Sequence, residues 1–385
     1  MTLSDTTVLQ PDSAEARRYN RIKRWLEIGD LAISVGFLLL LLVTGWTNTL
    51  RDWAVRFAHD HYAIQLFIYV LFLSLFSKAL GFTLDLYGFR LEHRFSLSNQ
   101  RIGSWLKDEV KGWLVGLVIG TVLCEIVYAL IRISPEQWWL ISWVIFMALF
   151  VFFAQIAPVV LFPLFYKFVP LENEELKSRL VRLGERAGTR VRGVYEWKLS
   201  EKSKKANAAL TGLGNTRRII LADTLLQNYS NDEIEAVLAH ELGHHVHRHI
   251  LKSIAVEAVV TLVGFWAADQ VLRYAVDQQK MFAHMADYAN LPLLVLVSTL
   301  LSIVLMPAIN AYSRFTERQA DVYCWQSVSN VAPYVSAMEK LNKQNLGESH
   351  PSRIVEILFH SHPPVSKRIA AAEEWARKHR PSLAT

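Results

Sequence analysis

Two histidines four residues apart, His240-Glu241-Leu242-Gly243-His244, are followed 73 residues after the second by Glu317-Arg318-Gln319-Ala320-Asp321. Residues four apart on a helix stand one turn above each other on one face, so His240 and His244 can grip one ion from one side. Two imidazoles are half a site. Catalytic zinc takes three protein ligands and leaves a fourth position to water, and two histidines with a glutamate form one of the standard sets. Glu317 is the candidate third ligand. Glu241 is the candidate general base, acting on water whose pKa the metal lowers toward neutrality. Asp321 lies one turn past Glu317 on the same face, where it can hydrogen-bond a ligand imidazole or hand a proton to a leaving amine. The pattern predicts a zinc peptidase centre.

The neighbouring histidines compete for the same ion. His247 shares a face with His240, but seven residues of helix separate them by about 10 Å along the axis, too far for bonds near 2 Å. His245 and His247 read as solvated or interfacial imidazoles, and His249 is left open. Downstream, Tyr312 to Trp325 continues as a helix with Arg314, Glu317 and Asp321 on one face. Beyond it lies His360-Ser361-His362-Pro363-Pro364, then Arg368. Two prolines constrain the backbone after His362, which suits that histidine to stabilising an oxyanion.

The elements that hold these residues are set among long apolar blocks. The chain has 385 residues, 52% of them hydrophobic. The apolar residues gather in runs at 31–46, 63–84, 113–131, 138–162, 254–271 and 291–309, and each run approaches or exceeds the roughly 17–25 residues needed to cross a bilayer. Six spans are expected. The first follows a polar arm, lacks a small-x-small cleavage pattern, and is expected to stay attached. Basic residues cluster in the N-terminal arm (Arg17, Arg18, Arg21, Lys23, Arg24) and after the second span (Arg90, Arg94, Arg101, Lys107, Lys111), whereas the alternate loops are poorer. Cytoplasmic loops carry that excess, so both termini and the His240–His244 motif are expected on the cytoplasmic side. The net charge of +6 belongs to this pattern. With no aromatic-basic RNA signature or zinc-finger spacing, a nucleic-acid partner is not expected. Cys124 and Cys324 are the only cysteines, too few for a disulfide framework.

Between the fourth and fifth spans the pattern becomes that of an α/β piece. An amphipathic helix is expected over 172–187, a strand over 193–199, and a hairpin from 207–210 and 217–222 around Gly212-Leu213-Gly214-Asn215. An edge there can accept an extended peptide by main-chain pairing or simply support the metal helix. Ser230 with Glu233 forms a capping box, so the helix bearing His240 starts near Asn231 and can continue into the fifth span. The division expected is an arm at 1–30, spans one to four at 31–165, the α/β zinc-peptidase segment at 166–253, spans five and six at 254–311, and a C-terminal cytosolic segment at 312–385. Segments 1–30 and 341–352 are expected to be the most mobile.

Taken together these residues resemble the integral-membrane CaaX prenyl proteases, zinc metallopeptidases that remove the last three residues of prenylated CaaX proteins. The likeness runs from Glu92-His93-Arg94-Phe95-Ser96-Leu97-Ser98-Asn99-Gln100 through Phe162-Pro163-Leu164-Phe165-Tyr166-Lys167-Phe168 and Asn207-Ala208. It continues through Arg218-Ile219-Ile220-Leu221, Asp223-Thr224-Leu225-Leu226, the His240–His244 motif with His249, Glu317 with Asp321, and His362-Pro363-Pro364 with Arg368. The resemblance implies a mainly α, polytopic membrane fold of six to seven helices around a water-filled chamber, with a small gluzincin-like α/β portion and zinc inside the chamber toward the cytosol. It implies one zinc on His240, His244 and Glu317, with Glu241 as base and Asp321 as the second acid-base or orienting group. It sets Asn207, with Ala208 beside it, and His362 near the substrate carbonyl, with Arg368 close by. The implied partners are the lipid bilayer and a prenylated or other membrane-associated peptide, in a bacterial inner membrane or an endoplasmic reticulum membrane according to source; the oligomeric state is left open. The chain departs from the family in showing six clear spans where eukaryotic members have seven, and in Ser96 where glycine is common. It is therefore expected to be a compact, prokaryotic-type member.

Three other readings compete: a general quality-control peptidase of the membrane, a catalytically silent scaffold, and a di-iron oxygenase or desaturase. His240-x-x-x-His244-His245 resembles one histidine box of the last class, but the remaining histidines supply no second box.

Overall fold

The computed structural model describes residues 12–212 and 217–379. The chain opens with α1 (Ala14–Thr44), α2 (Trp46–Ala58), α3 (Tyr62–Arg94), α4 (Ile102–Ile133), α5 (Trp138–Ile156) and the short α6 (Phe162–Phe165). There follow β1 (Phe168–Pro170), α7 (Glu174–Arg186), β2 (Gly193–Trp197), β3 (Ala208–Thr211), β4 (Arg218–Ala222), α8 (Asp223–Asn228) and α9 (Asn231–Val246). The remainder is α10 (His249–Arg273), α11 (Leu291–Ser327), α12 (Ala332–Gln344), α13 (Arg353–Phe359) and α14 (Val365–His379).

Among the described residues six helical stretches are long and apolar enough to cross a membrane, built on α1, α3, α4, α5, α10 and α11. Each is longer than its apolar run, because polar helical turns continue the rod beyond the hydrocarbon. α1 already starts at Ala14, where the Ser13 side chain accepts from Ala16 N, and it closes at Gly45, whose φ of 72° is readily adopted without a Cβ. The arm expected to be mobile is thus helical from Ala14; residues 1–11 of it lie outside the described residues. Segment 341–352 is also held: the Asn345 side chain contacts Ala206 at both N and O, and Asp12 accepts from Ser349 N and His350 N. α5 passes into a π-helical turn at Ala157–Leu161, where Pro158 withholds an N–H from the helical ladder.

One charged cluster lies within the spans. Lys78 on α3 lies 2.7 Å from Asp85 and 2.5 Å from Glu109, all partly exposed, which in a membrane requires a watery interior. A cavity of about 700 Å³ opens between α4, α5, α10 and α11, with Tyr128, Trp138, Glu257, Thr261 and Phe265 among its walls. None of the candidate site residues is in those walls. Met306 on α11 borders the cavity, and Glu317 sits eleven residues further along the same helix, about 16 Å away.

The sheet has the order β1-β2-β4-β3, with β2 and β4 parallel and the outer pairs antiparallel. β3 and β4 pair from Ala208 opposite Leu221 to Thr211 opposite Arg218, as a hairpin requires; of its expected turn, Leu213, Gly214 and Asn215 lie outside the described residues. α7 buries Leu176, Leu180 and Leu183 against the same core that takes Ile219, Leu221, Ile234 and Leu238. Ser96 has φ 55°, the left-handed region that glycine enters most easily.

Candidate metal centre

The site depends on how closely α9 meets α11. α9 begins with both halves of its capping box in place, Ser230 Oγ accepting from Glu233 N and the Glu233 carboxylate accepting from Ser230 N. Toward α11 it presents Ala236, His240 and Gly243, and α11 presents Glu317, Ala320, Asp321 and Cys324, all buried. A Cβ on Gly243 would meet Ala320 Cα at 2.7 Å and its carbonyl oxygen at 2.9 Å, so only glycine permits this approach. One turn along the seam Cys324 Sγ donates to Ala236 O. The cysteine is a packing residue, as is the half-buried Cys124; both are free thiols.

This contact carries Glu317 to the paired imidazoles. His240 Nε2 and His244 Nε2 are 3.4 Å apart, Glu317 Oε2 is 3.3 Å from His240 Nε2, and Glu317 Oε1 is 3.2 Å from His244 Nε2. One donor atom from each of the three residues lies within 4.8 Å of the others. Tetrahedral bonds of about 2.0–2.1 Å to a shared ion set ligand atoms about 3.3 Å apart, close to the separation of the two imidazole nitrogens and to that of each from one or other carboxylate oxygen. Glu317 Oε2 is buried without a hydrogen bond; His362 Nδ1 stands 2.9 Å from it but is not aligned to donate. A buried carboxylate oxygen left so costs free energy unless something positive meets it, and the donor set fits a divalent cation.

Behind the imidazoles a second set of contacts fixes their direction. Asp321 Oδ1 lies 2.9 Å from His240 Nδ1. Arg368 on α14 grips Asp321 with both arms, Nε to Oδ2 at 2.9 Å and Nη2 to Oδ1 at 2.6 Å, in the fork geometry that a guanidinium offers a carboxylate. Burial would lower the His240 pKa, but Asp321 and Glu317 outweigh it and raise the value to about 9. The two carboxylates thus favour the protonated ring in the absence of an ion, and a metal must displace that proton.

His362 reaches the centre from the loop before α14 and remains 61% exposed at the rim. A residue before proline is kept out of the helical region, so His362 stays extended, and α14 starts only after Pro364, whose carbonyl accepts from Lys367 N and Arg368 N. Glu241 is half-buried beside His240 on α9. Asn207 is exposed and Ala208 opens the edge strand β3. No hydrogen bond or ion pair joins Glu241, Asn207 or Ala208 to the other candidates among the described residues, whereas His240, His244, Glu317, Asp321, His362 and Arg368 form one connected group.

Two contributors carry no role in the sequence reading. Gly243 is one. Arg314 is the other: buried on α11, it donates to Glu356 O at 2.9 Å and His360 O at 2.6 Å, which ties the end of α13 and the loop carrying His362 to the ligand helix. Its signal was present, since Arg314, Glu317 and Asp321 share one face. One expectation fails: α9 does not run into the fifth span, because Arg248 takes φ 55° and α10 starts afresh at His249.

Comparison with known proteins agrees with this geometry. The pattern of Peptidase family M48 matches residues 170–376, and that of "CAAX prenyl protease N-terminal, five membrane helices" matches 4–167. Within the latter stretch this chain has four membrane-length helices and the short α2. An uncharacterised metalloprotease, YhfN, of Bacillus subtilis is 32% identical over 94% of this chain and 85% of its own length. CAAX prenyl protease 1 of Saccharomyces cerevisiae is 28% identical over 84% of this chain and 75% of its own. The crystal structure of S. mikatae Ste24p superposes with a TM-score of 0.84 at 24% identity, covering 96% of this chain and 93% of that one, which establishes the fold: six long helices with a small sheet.

Proposed function

The chain belongs to peptidase family M48 and is a multi-pass membrane metalloendopeptidase, and from that premise we propose that it uses one zinc ion, held by His240, His244 and Glu317, to cut a peptide bond near the C-terminus of prenylated CaaX proteins or similar membrane-associated peptides. The observation that carries the reading is the near-equal 3.2–3.4 Å spacing of the three donor residues. When bound, zinc supplies a Lewis acid and makes water acidic enough to attack near neutral pH. Glu241, next to the first ligand, takes the proton from the attacking water and delivers it to the leaving amine. Both oxygens of Asp321 are engaged by Arg368, and one also by His240, which favours an orienting duty over proton transfer. Exposed His362, at the rim beside Glu317, donates to the oxyanion.

The substrate lies extended along β3, whose outer side has no neighbouring strand among the described residues. Asn207 and Ala208 at its start bind the main chain beside the scissile carbonyl. The placement of basic loops supports a cytoplasmic site. The preference for a lipidated substrate rests on the membrane-embedded fold and on relatives named CAAX prenyl proteases.

The test presents the purified protein with a prenylated CaaX peptide, its unprenylated twin and an unrelated extended peptide, with and without a zinc chelator. Cleavage of the first alone, lost with chelator, is expected. Equal cleavage of all three would replace CaaX processing with general membrane proteolysis.

A further inference from the structure

The break between α9 and α10 has a chemical result. Arg248, at φ 55°, reverses the backbone so that His249 turns back toward the ligand pair instead of continuing along the helix. His249 is buried, 3% exposed. Its Nδ1 stands 3.0 Å from His244 Nδ1, with the rings edge to face, and its Nε2 stands 3.0 Å from Gln319 Oε1 on α11. Two ring nitrogens at that distance share one proton, so one donates and the other accepts.

Gln319 decides the direction. Its carbonyl oxygen accepts, so the His249 proton sits on Nε2 and leaves His249 Nδ1 as an acceptor. His244 Nδ1 then donates into it, and His244 Nε2 keeps a free lone pair facing His240 Nε2 and Glu317 Oε1. The reverse arrangement, with a side-chain N–H of residue 319 donating, would load a proton onto His244 Nε2 and block the ion. We infer that His249 and Gln319 are positioning residues that fix the tautomer and ring plane of His244 by a neutral relay. Asp321 with Arg368 does the same for His240 by a charged one. Gln319 and Asp321 both stand on α11, the helix that supplies Glu317, while Arg368 comes from α14 and His249 from α10. The inference rests on the metal centre proposed above.

Zinc affinity of the purified full-length chain in detergent, measured by competition with a chromophoric chelator, tests the relay. His249→Leu is expected to weaken affinity about 10–100-fold, the usual effect of losing such a partner. His249→Asn, whose Oδ1 falls near the lost Nδ1 and can accept, should bind within about threefold of the parent. Gln319→Leu should weaken binding, and Gln319→Glu, an obligate acceptor, should preserve it. Thermal unfolding of each metal-free variant checks the fold, and if His249→Leu does not fold, the half-buried Gln319 pair decides. A parent chain that takes up no zinc would sink the centre itself. Tight binding by the parent with equal binding by the two leucine variants, or an asparagine variant as weak as the leucine one, would overturn the relay alone.

Discussion

His240 and His244 announce a metal by their spacing, but the third donor comes from another helix, and only its one-turn distance from Asp321 marks Glu317 in the sequence. The spacing was enough for the cluster and silent on the connections behind it. Arg368, isolated in sequence, proves to be the group that neutralises Asp321. The raised His240 pKa has a consequence. Its proton must leave before an ion can bind, so zinc affinity is expected to rise with pH and level off near about 9. Stability of the metal-free fold runs the other way: the protonated ring contributes fully below its ordinary value, and the contribution is lost as pH climbs through about 9. Asp321→Asn should flatten the rise, as read by chelator competition across pH; an affinity that falls with pH in the parent would contradict this. At Ser96 the left-handed φ predicts that Ser96→Gly raises the unfolding midpoint, by up to about 1 kcal/mol of stability. An unchanged or lower midpoint would show that the backbone there carries no strain.

At the scale of elements, periodicity was a good guide to interiors and a poor one to ends. The apolar runs marked the six spans, yet Ser13 starts α1 well before the first run, and Arg248 divides two helices that read as one. Both features are single-residue backbone events with no periodic signature. The seam between α9 and α11 is subtler still, because glycine within a helix pattern usually reads as a weakness, and only the facing backbone of Ala320 reveals why it is needed. Gly243→Ala should force the helices apart at an overpacking cost of about 1–3 kcal/mol and weaken zinc uptake sharply, as measured by metal analysis after dialysis. Full zinc content in that variant would mean that the centre tolerates a wider seam. Ser230→Ala removes one half of the capping box and is expected to cost about 1 kcal/mol, visible as a lower thermal midpoint with the zinc stoichiometry retained.

The whole molecule is two-sided. Asp12 holds Ser349 and His350, and the loop after α3 pairs with the segment after β2 at Ser98 and Ser203, so the N-terminal arm, that loop, the sheet and the C-terminal helices gather at one end. Arg51, Asp287, Tyr62 and Ala286 meet at the other. Basic loops had divided the chain in the same way, because the charge rule and an even number of spans both act on loop order. Single cysteines at Lys23 and Lys343 should react with an impermeant thiol reagent only from the cytoplasmic side, and at Arg56 and Lys280 only from the other; the opposite labelling would reverse the proposed orientation. The wall of the cavity between α4, α5, α10 and α11 and the ligand Glu317 share α11, which joins the membrane part to the site by one continuous rod. The most direct measurement is the zinc content of the purified chain beside its Glu317→Ala and Glu241→Gln variants. About one zinc per chain is expected in the parent and in Glu241→Gln, the latter without cleavage, and little or none in Glu317→Ala. Two irons per chain, or full zinc in Glu317→Ala, would contradict the account.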